Sequence, residues 1–336
     1  MTVSSAVWVV VFVAAAGASL GTSALLVHRL EMFAARLGLS EAILGLLSAL
    51  SANSPEITSA IAALAQGQDD IGVGVVLGSN VFNLAALLGL GSLVAGSIRL
   101  HRAAVVLTGA VGGWVALCAL VVVGRELAPS WGLLAVVVVL VPYVALAAAP
   151  RILNRVPLPA RWSGLIRRAL VEEEIELAEA VRPRPGTARD AILGAGALVA
   201  VVGASVVMER AASVLGAAFG VPTIVVGGLV LAAVTSLPNA VAAVYLALRG
   251  RGAAVLSETM NSNTLNVVVG LLVPAALTGV LSVSGAGAHL AAGFAAGLTL
   301  LALVIAYLGQ GLRRWGGAML VAGYCGFAAA LLAGAR

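Results

Sequence analysis

The chain has 336 residues, of which 61% are hydrophobic and only 10% charged, and its mean hydropathy is +1.11. An ordinary soluble domain is about one-quarter charged, so a soluble fold is excluded and the chain reads as an all-α, multi-pass integral membrane protein with the lipid bilayer as its first partner. All 19 basic residues are arginine and fall mostly between apolar runs, so the net charge of +5 does not indicate nucleic-acid binding.

Ten apolar segments are long enough to cross a ~30 Å hydrocarbon core: 5–27, 39–66, 71–96, 103–124, 130–149, 188–208, 221–248, 253–281, 286–309 and 315–335. The first, beginning MTVSSAVWVVVFV, lacks the basic stretch of a cleavable signal and is expected to be retained. With the N-terminus outside and the spans alternating, sixteen arginines fall inside and three, Arg125, Arg210 and Arg336, fall outside. Positive charge accumulates on the cytoplasmic side. The expected location is therefore the plasma (inner) membrane, with the 150–187 segment cytoplasmic.

The second span holds SALSANSPEITSAIAALAQG, and the seventh holds LAAVTSLPNAVAAVYLALRG. Pro55 and Pro238, Glu56 and Asn239, and Gly67 and Gly250 each stand 183 residues apart. At the same offset GVVLGSNVFN, 74–83, meets SETMNSNTLN, 257–266, pairing Ser79 with Ser262, Asn80 with Asn263 and Asn83 with Asn266. Five spans per half is an odd number, so the halves are inserted in opposite directions. The loop after the first motif carries Asp69-Asp70, and its counterpart carries Arg249 and Arg251. This is the inverted-repeat pattern of secondary transporters, with the site expected at mid-membrane between the halves. The halves are assigned to 1–149, with its motif at 48–83, and to 188–336, with its motif at 231–266.

Proline removes a helical hydrogen bond and clashes with the carbonyl four residues earlier. Spans two and seven are therefore expected to break at Pro55 and Pro238, freeing carbonyls near Ser51, Ala52, Val234 and Thr235. Freed carbonyls with Ser, Thr and Asn side chains are hard-oxygen ligands for a cation. Ser79 and Asn83 share a helix face, as do Ser262 and Asn266, and Glu56 adds the charge. The other reading is that these polar groups only hold helices together. Glu258, where the first half has Val75, stands two turns before Asn266. It either lines a cytoplasmic entrance or pairs with Arg251 or reaches to the interface.

SPEITSAIAAL followed by GVGVVLGSNVFN resembles the first α-repeat of the calcium/cation antiporters, the sodium/calcium exchanger family, and TSLPNAVAAV with NSNTLN resembles the second. The resemblance implies a ten-helix cation antiporter working by alternating access on a Na⁺ or H⁺ gradient. Its first and sixth spans, GASLGTSALLVHRL and GASVVMERAASVL, would slide. It implies Glu56, Ser79, Asn83, Thr235, Ser236, Ser262 and Asn266 as cation ligands, with Asn53 and Asn239 at substituted positions. The family usually has Glu after both prolines, whereas Asn239 follows the second here; its Gly before the second Ser-Asn is Asn261. One carboxylate fewer lowers the charge offered to Ca²⁺ and shifts the expectation toward Na⁺ or H⁺ on Glu56. The alternative is a fold relative that has lost transport and serves as a membrane scaffold or sensor.

The remaining features indicate no further chemistry. Segment 150–187 reads as a linker with an amphipathic surface helix, without a calcium-loop pattern. His28, His101 and His289 have no metal-ligand spacing. No phosphate-binding loop points to ATP, no nucleophile–base pair points to an enzyme, and no resident cofactor is expected. Cys118 and Cys325 lie in apolar spans as packing residues. No feature specifies an oligomeric state.

Overall fold

The computed structural model describes residues 5–37, 49–148, 163–164, 166–169, 186–279, 281–283 and 285–334. Residues 39–48 of the expected second span and most of the 150–187 linker lie outside the described residues; of the linker's expected amphipathic helix, residues 163–164 and 166–169 are described, and they are helical. The helices are α1 (Ser5–Arg36), α2 (Ser54–Ala65), α3 (Asp69–Ala95), α4 (Arg102–Val123) and α5 (Pro129–Ala148) in the first half. The second half has α6 (Ala188–Phe219), α7 (Thr223–Thr235), α8 (Leu237–Leu248), α9 (Gly252–Thr278), α10 (Ala286–Gly309) and α11 (Arg314–Ala333). Among the described residues, eight of these helices are long and apolar enough to cross a membrane, and α7 with α8, bent by 48° at their break, reaches that length and apolarity as a pair.

Among the described residues, the protein is an all-α integral membrane protein apart from one ribbon. Strand β1 (Ser97–Arg99) pairs antiparallel with β2 (Gly311–Arg313), with Ile98 opposite Leu312. The ribbon was not expected from the sequence. Each strand is only three residues long, too short for an alternating pattern to stand out beside the apolar spans.

Two helices outrun their expected ends, and both have a local cause. Arginine normally marks the end of an apolar span, so α1 was expected to stop at 27. Arg29 instead pairs with Asp190 at 2.7 Å, and the helix continues to Arg36. The sixth span was expected to end at 208, before Glu209-Arg210. Glu209 is buried and accepts a hydrogen bond from Gln66, so α6 continues to Phe219. Asp190 also closes a capping box with Thr187, which fixes the start of α6.

Helices α1 and α6 lie antiparallel along most of their length. Arg29 meets Asp190 at one end, and Ser19 shares a 2.8 Å hydrogen bond with Ser205 further along. The centre of the molecule is α3, whose apolar side chains Ile71, Val73, Val75, Leu77, Val81 and Leu84 are all fully buried. It meets α7 backbone to backbone. A Cβ at Gly78 would overlap the Gly228 carbonyl, and one at Gly227 would overlap the Ile71 carbonyl. Both α3 and α9 carry a π-helical segment, Leu84–Leu90 just after the first polar motif and Asn266–Leu272 from the last residue of the second. These segments sit at equivalent places in the two halves and re-aim the apolar residues that follow.

Candidate functional site

The site is built at two helix breaks. Asn53 (φ −83°, ψ 2°) interrupts helical residues 49–52 and α2, and Ser236 (φ −85°, ψ −2°) interrupts α7 and α8. The prolines were expected at the breaks themselves. They stand two residues later, each at the second position of the new helix, where a missing N–H leaves no intrahelical bond unmade. The carbonyl freed at Ser51 is already engaged, accepting from the Ser54 hydroxyl at 2.6 Å and the Ser23 hydroxyl at 3.0 Å. Thr235 likewise turns its hydroxyl back on the Leu231 carbonyl, 2.9 Å away.

Side chains from four helices meet between the breaks. Ser236 donates to Glu56 Oε1 at 3.0 Å, and Asn239 Nδ2 lies 3.4 Å from the same oxygen. Asn239 Nδ2 also donates to Asn53 Oδ1 at 2.8 Å, and Asn53 Nδ2 donates to the Ser262 hydroxyl at 3.1 Å. Across α3 and α9 the pairing is reciprocal. Asn80 Nδ2 donates to the Asn263 carbonyl and Asn263 Nδ2 to the Asn80 carbonyl, each at 3.1 Å. Asn83 Nδ2 reaches Asn263 Oδ1 at 3.0 Å, and Asn266 Nδ2 reaches Asn80 Oδ1 at 3.3 Å. Exchanging each residue for its partner 183 positions away maps every one of these α3–α9 bonds onto another. The same exchange maps the Ser236–Glu56 bond onto the Asn239–Asn53 bond. A local two-fold relation therefore passes between the halves.

Asn53, Glu56, Ser79, Asn83, Thr235, Ser236, Asn239, Ser262 and Asn266 are all fully or almost fully buried. Five of their oxygens make no hydrogen bond: Glu56 Oε2, Ser79 Oγ, Asn83 Oδ1, Asn239 Oδ1 and Asn266 Oδ1. Buried polar atoms are ordinarily paired, because an unpaired one costs about 1–3 kcal/mol. Five such oxygens on α2, α3, α8 and α9, one of them a carboxylate oxygen, are a donor set suited to a hard cation. Glu258 takes part in none of these hydrogen bonds. It is partly buried on α9, one turn before Ser262 and on the same face, and its Oε2 is buried without a partner. Asn80 and Asn263 were read from the sequence only as repeat markers, and their cross-bonding becomes visible where the two helices cross.

The sequence model of the family described as sodium/calcium exchanger protein matches residues 7–162 and 191–333. A relative in Alkalimonas amylolytica, CaxA, is 36% identical over 77 residues, which is 23% of this chain and 24% of that protein. Human sodium/potassium/calcium exchanger 4 is 36% identical over 70 residues, covering 21% of this chain and 11% of the exchanger. These two matches thus span no more than 24% of either relative's length. The fold is similar to that of the sodium-calcium exchanger NCX_Mj, solved in 10 mM Na⁺, with a TM-score of 0.62 and 18% identity over 98% of this chain and 100% of that one. The match over residues 7–162 and 191–333 decides the family, and the chain belongs to the sodium/calcium exchanger protein family.

Proposed function

We propose that the protein is a secondary active cation antiporter whose ions bind between the two helix breaks, with Glu56 as the charged ligand. The observation that carries this reading is the set of five buried, unpartnered oxygens on α2, α3, α8 and α9. A structural cluster would pair its oxygens internally, as Asn80 and Asn263 do. The same observation weighs against a transport-inactive scaffold, which has no use for them. Asn239, Asn53, Ser236, Thr235, Ser262, Ser79, Asn83 and Asn266 complete the ligand set, and Pro55 and Pro238 shape it.

The site carries one formal negative charge, so a single Na⁺ or H⁺ neutralises it and a Ca²⁺ does not. Coupling to a Na⁺ or H⁺ gradient follows. The human relative's name includes sodium, potassium and calcium, and Ca²⁺ is retained here as a candidate substrate of lower affinity. The halves are taken as 1–149 and 188–336, with ten spans, joined by a cytoplasmic linker at 150–187. The excess of arginine on the linker side supports an N-terminus outside and a plasma-membrane location. Glu258, on the face of Ser262 and Asn266, lines the linker-side approach.

The test is flux in proteoliposomes, with Ca²⁺, Na⁺, K⁺ and H⁺ each supplied as gradient or counter-ion. Gradient-driven cation exchange in the parent, lost in folded Glu56→Gln, supports the reading. No exchange of any of these ions by the folded parent sinks it.

A further inference from the structure

Three carboxylates lie well inside spans among the described residues: Glu56, Glu258 and Glu209. Glu209 has no place in the site above. It is fully buried on α6, and its Oε2 accepts a 2.9 Å hydrogen bond from Gln66 Nε2 in the turn between α2 and α3. Its Oε1 is buried with no partner. One helical turn later Ser213 donates to Gln68 Oε1 of the same turn at 2.9 Å, and one turn earlier Ser205 meets Ser19 of α1. Residues 205, 209 and 213 are four apart and form one polar stripe.

Helix α2 presents a facing stripe. Ser59 stands three residues after Glu56, buried, with an Oγ that has no partner. Gln66 stands ten residues after Glu56, about 15 Å along the axis. Gln66 and Glu209 thus meet on the N-terminal side of the central cluster, and Ser59 stands between Glu56 and Gln66 on α2, with the buried Ala60 and Ala63 beside it. The other half does not repeat this. The glycine-alanine-serine motifs at 17–19 and 203–205 are 186 apart, and at that offset Glu209 falls on Ser23, whose hydroxyl is bonded to the Ser51 carbonyl. At the 183-residue offset Gln66 falls on Arg249, whose guanidinium lies 4.4 Å above the Tyr245 ring.

We propose that Glu209 is a second cation site, at the N-terminal-side mouth of the path to Glu56, taking a partly dehydrated monovalent cation of the Na⁺ type. It rests on the proposed antiport function, and it would recruit the ion before transfer past Ser59. A carboxylate left buried with one unpaired oxygen is costly unless a cation or further donor meets it. A single charge matches a single monovalent ion. The position on α6 also ties the ion to a helix that the family resemblance expects to move.

The experiment measures amide hydrogen exchange in the full-length protein in nanodiscs, with NaCl against choline chloride. Na⁺ should slow exchange in the 66–69 turn and around 209–213. Glu209→Gln should abolish that slowing. Gln66→Ala should keep at least about half, because it removes the hydrogen bond and leaves the charge. Glu56→Gln should keep the slowing, since the two sites are separate. In flux assays Glu209→Gln should raise the half-saturating Na⁺ concentration on the N-terminal side about tenfold. Should the amide variant not fold, Glu209→Asp retains the charge on a shorter stem and should shift the Na⁺ dependence of the same protection. Unchanged protection in Glu209→Gln or in Glu209→Asp overturns the site, and so does loss of protection in Gln66→Ala as complete as in Glu209→Gln. Loss in Glu56→Gln overturns a second site while leaving the central one standing. Full flux in Glu56→Gln fails the antiport reading separately, and the protection data still decide Glu209.

Discussion

Glu56 has one oxygen that receives two donors and another that receives none. Glutamine at this position keeps the shape and removes the charge. Glu56→Gln should reduce exchange to background, a loss of about 100-fold or more, while the protein still elutes as a single folded species. Wild-type flux in that variant would remove Glu56 from the mechanism. Asn239 is the complementary case, because its amide stands 3.4 Å from Glu56 Oε1, where a second acid would double the charge. Asn239→Glu should raise Ca²⁺ affinity by about tenfold or more in calorimetry; an unchanged Ca²⁺ isotherm for the folded variant would show that charge count does not set selectivity here. The Glu56–Asn239 pairing was legible in the sequence, because an offset of 183 and a proline beside each residue are properties of a linear string. Glu209 was not. It stands next to Arg210, which suggests a solvated rim, and its burial becomes visible only when α6 lies against the α2–α3 turn.

At the scale of elements, the reciprocal asparagines and the glycine contact between α3 and α7 are among the devices that hold the halves together. Asn80 makes hydrogen bonds with both Asn263 and Asn266. Asn80→Ala should therefore destabilise the protein by about 1–3 kcal/mol in thermal unfolding, and Asn80→Ala with Asn263→Ala by less than the two single losses added. Strict additivity would mean that the two side chains do not form one unit. Gly78→Val should be worse tolerated than either, since a Cβ there meets the Gly228 backbone and no rotamer avoids it; a folded yield equal to that of the parent would contradict the close approach. The approximate position of each described span was readable, because about 20 apolar residues in a row have few other destinations. The helix ends and the positions of the breaks were not. They depend on whether a charge at a span's end finds a partner across the fold, as Arg29 and Glu209 do, and on Asn53 and Ser236 rather than the prolines themselves.

For the whole molecule, the α1–α6 pair is the longest contact between halves and the one that the family resemblance expects to slide. Ser19 and Ser205 touch at 2.8 Å. If the two helices move as one body, joining them should not stop transport. Ser19→Cys with Ser205→Cys, made with Cys118→Ala and Cys325→Ala, should form a disulfide on oxidation and keep at least about half of the exchange rate. Arrest on oxidation, reversed by reductant, would show that α1 and α6 move past each other instead.

The short ribbon has a different consequence. It joins Ser97–Arg99 of the first half to Gly311–Arg313 of the second through backbone hydrogen bonds, and Gly252 packs against the Arg99 carbonyl beside it. Together with the asparagine pairs, it supplies links between the halves that do not run through the 150–187 segment. The covalent connection is then dispensable for assembly. Two separately translated polypeptides, divided between residues 175 and 176, should find each other in the bilayer, co-purify through a tag on either one, and rebuild a working exchanger.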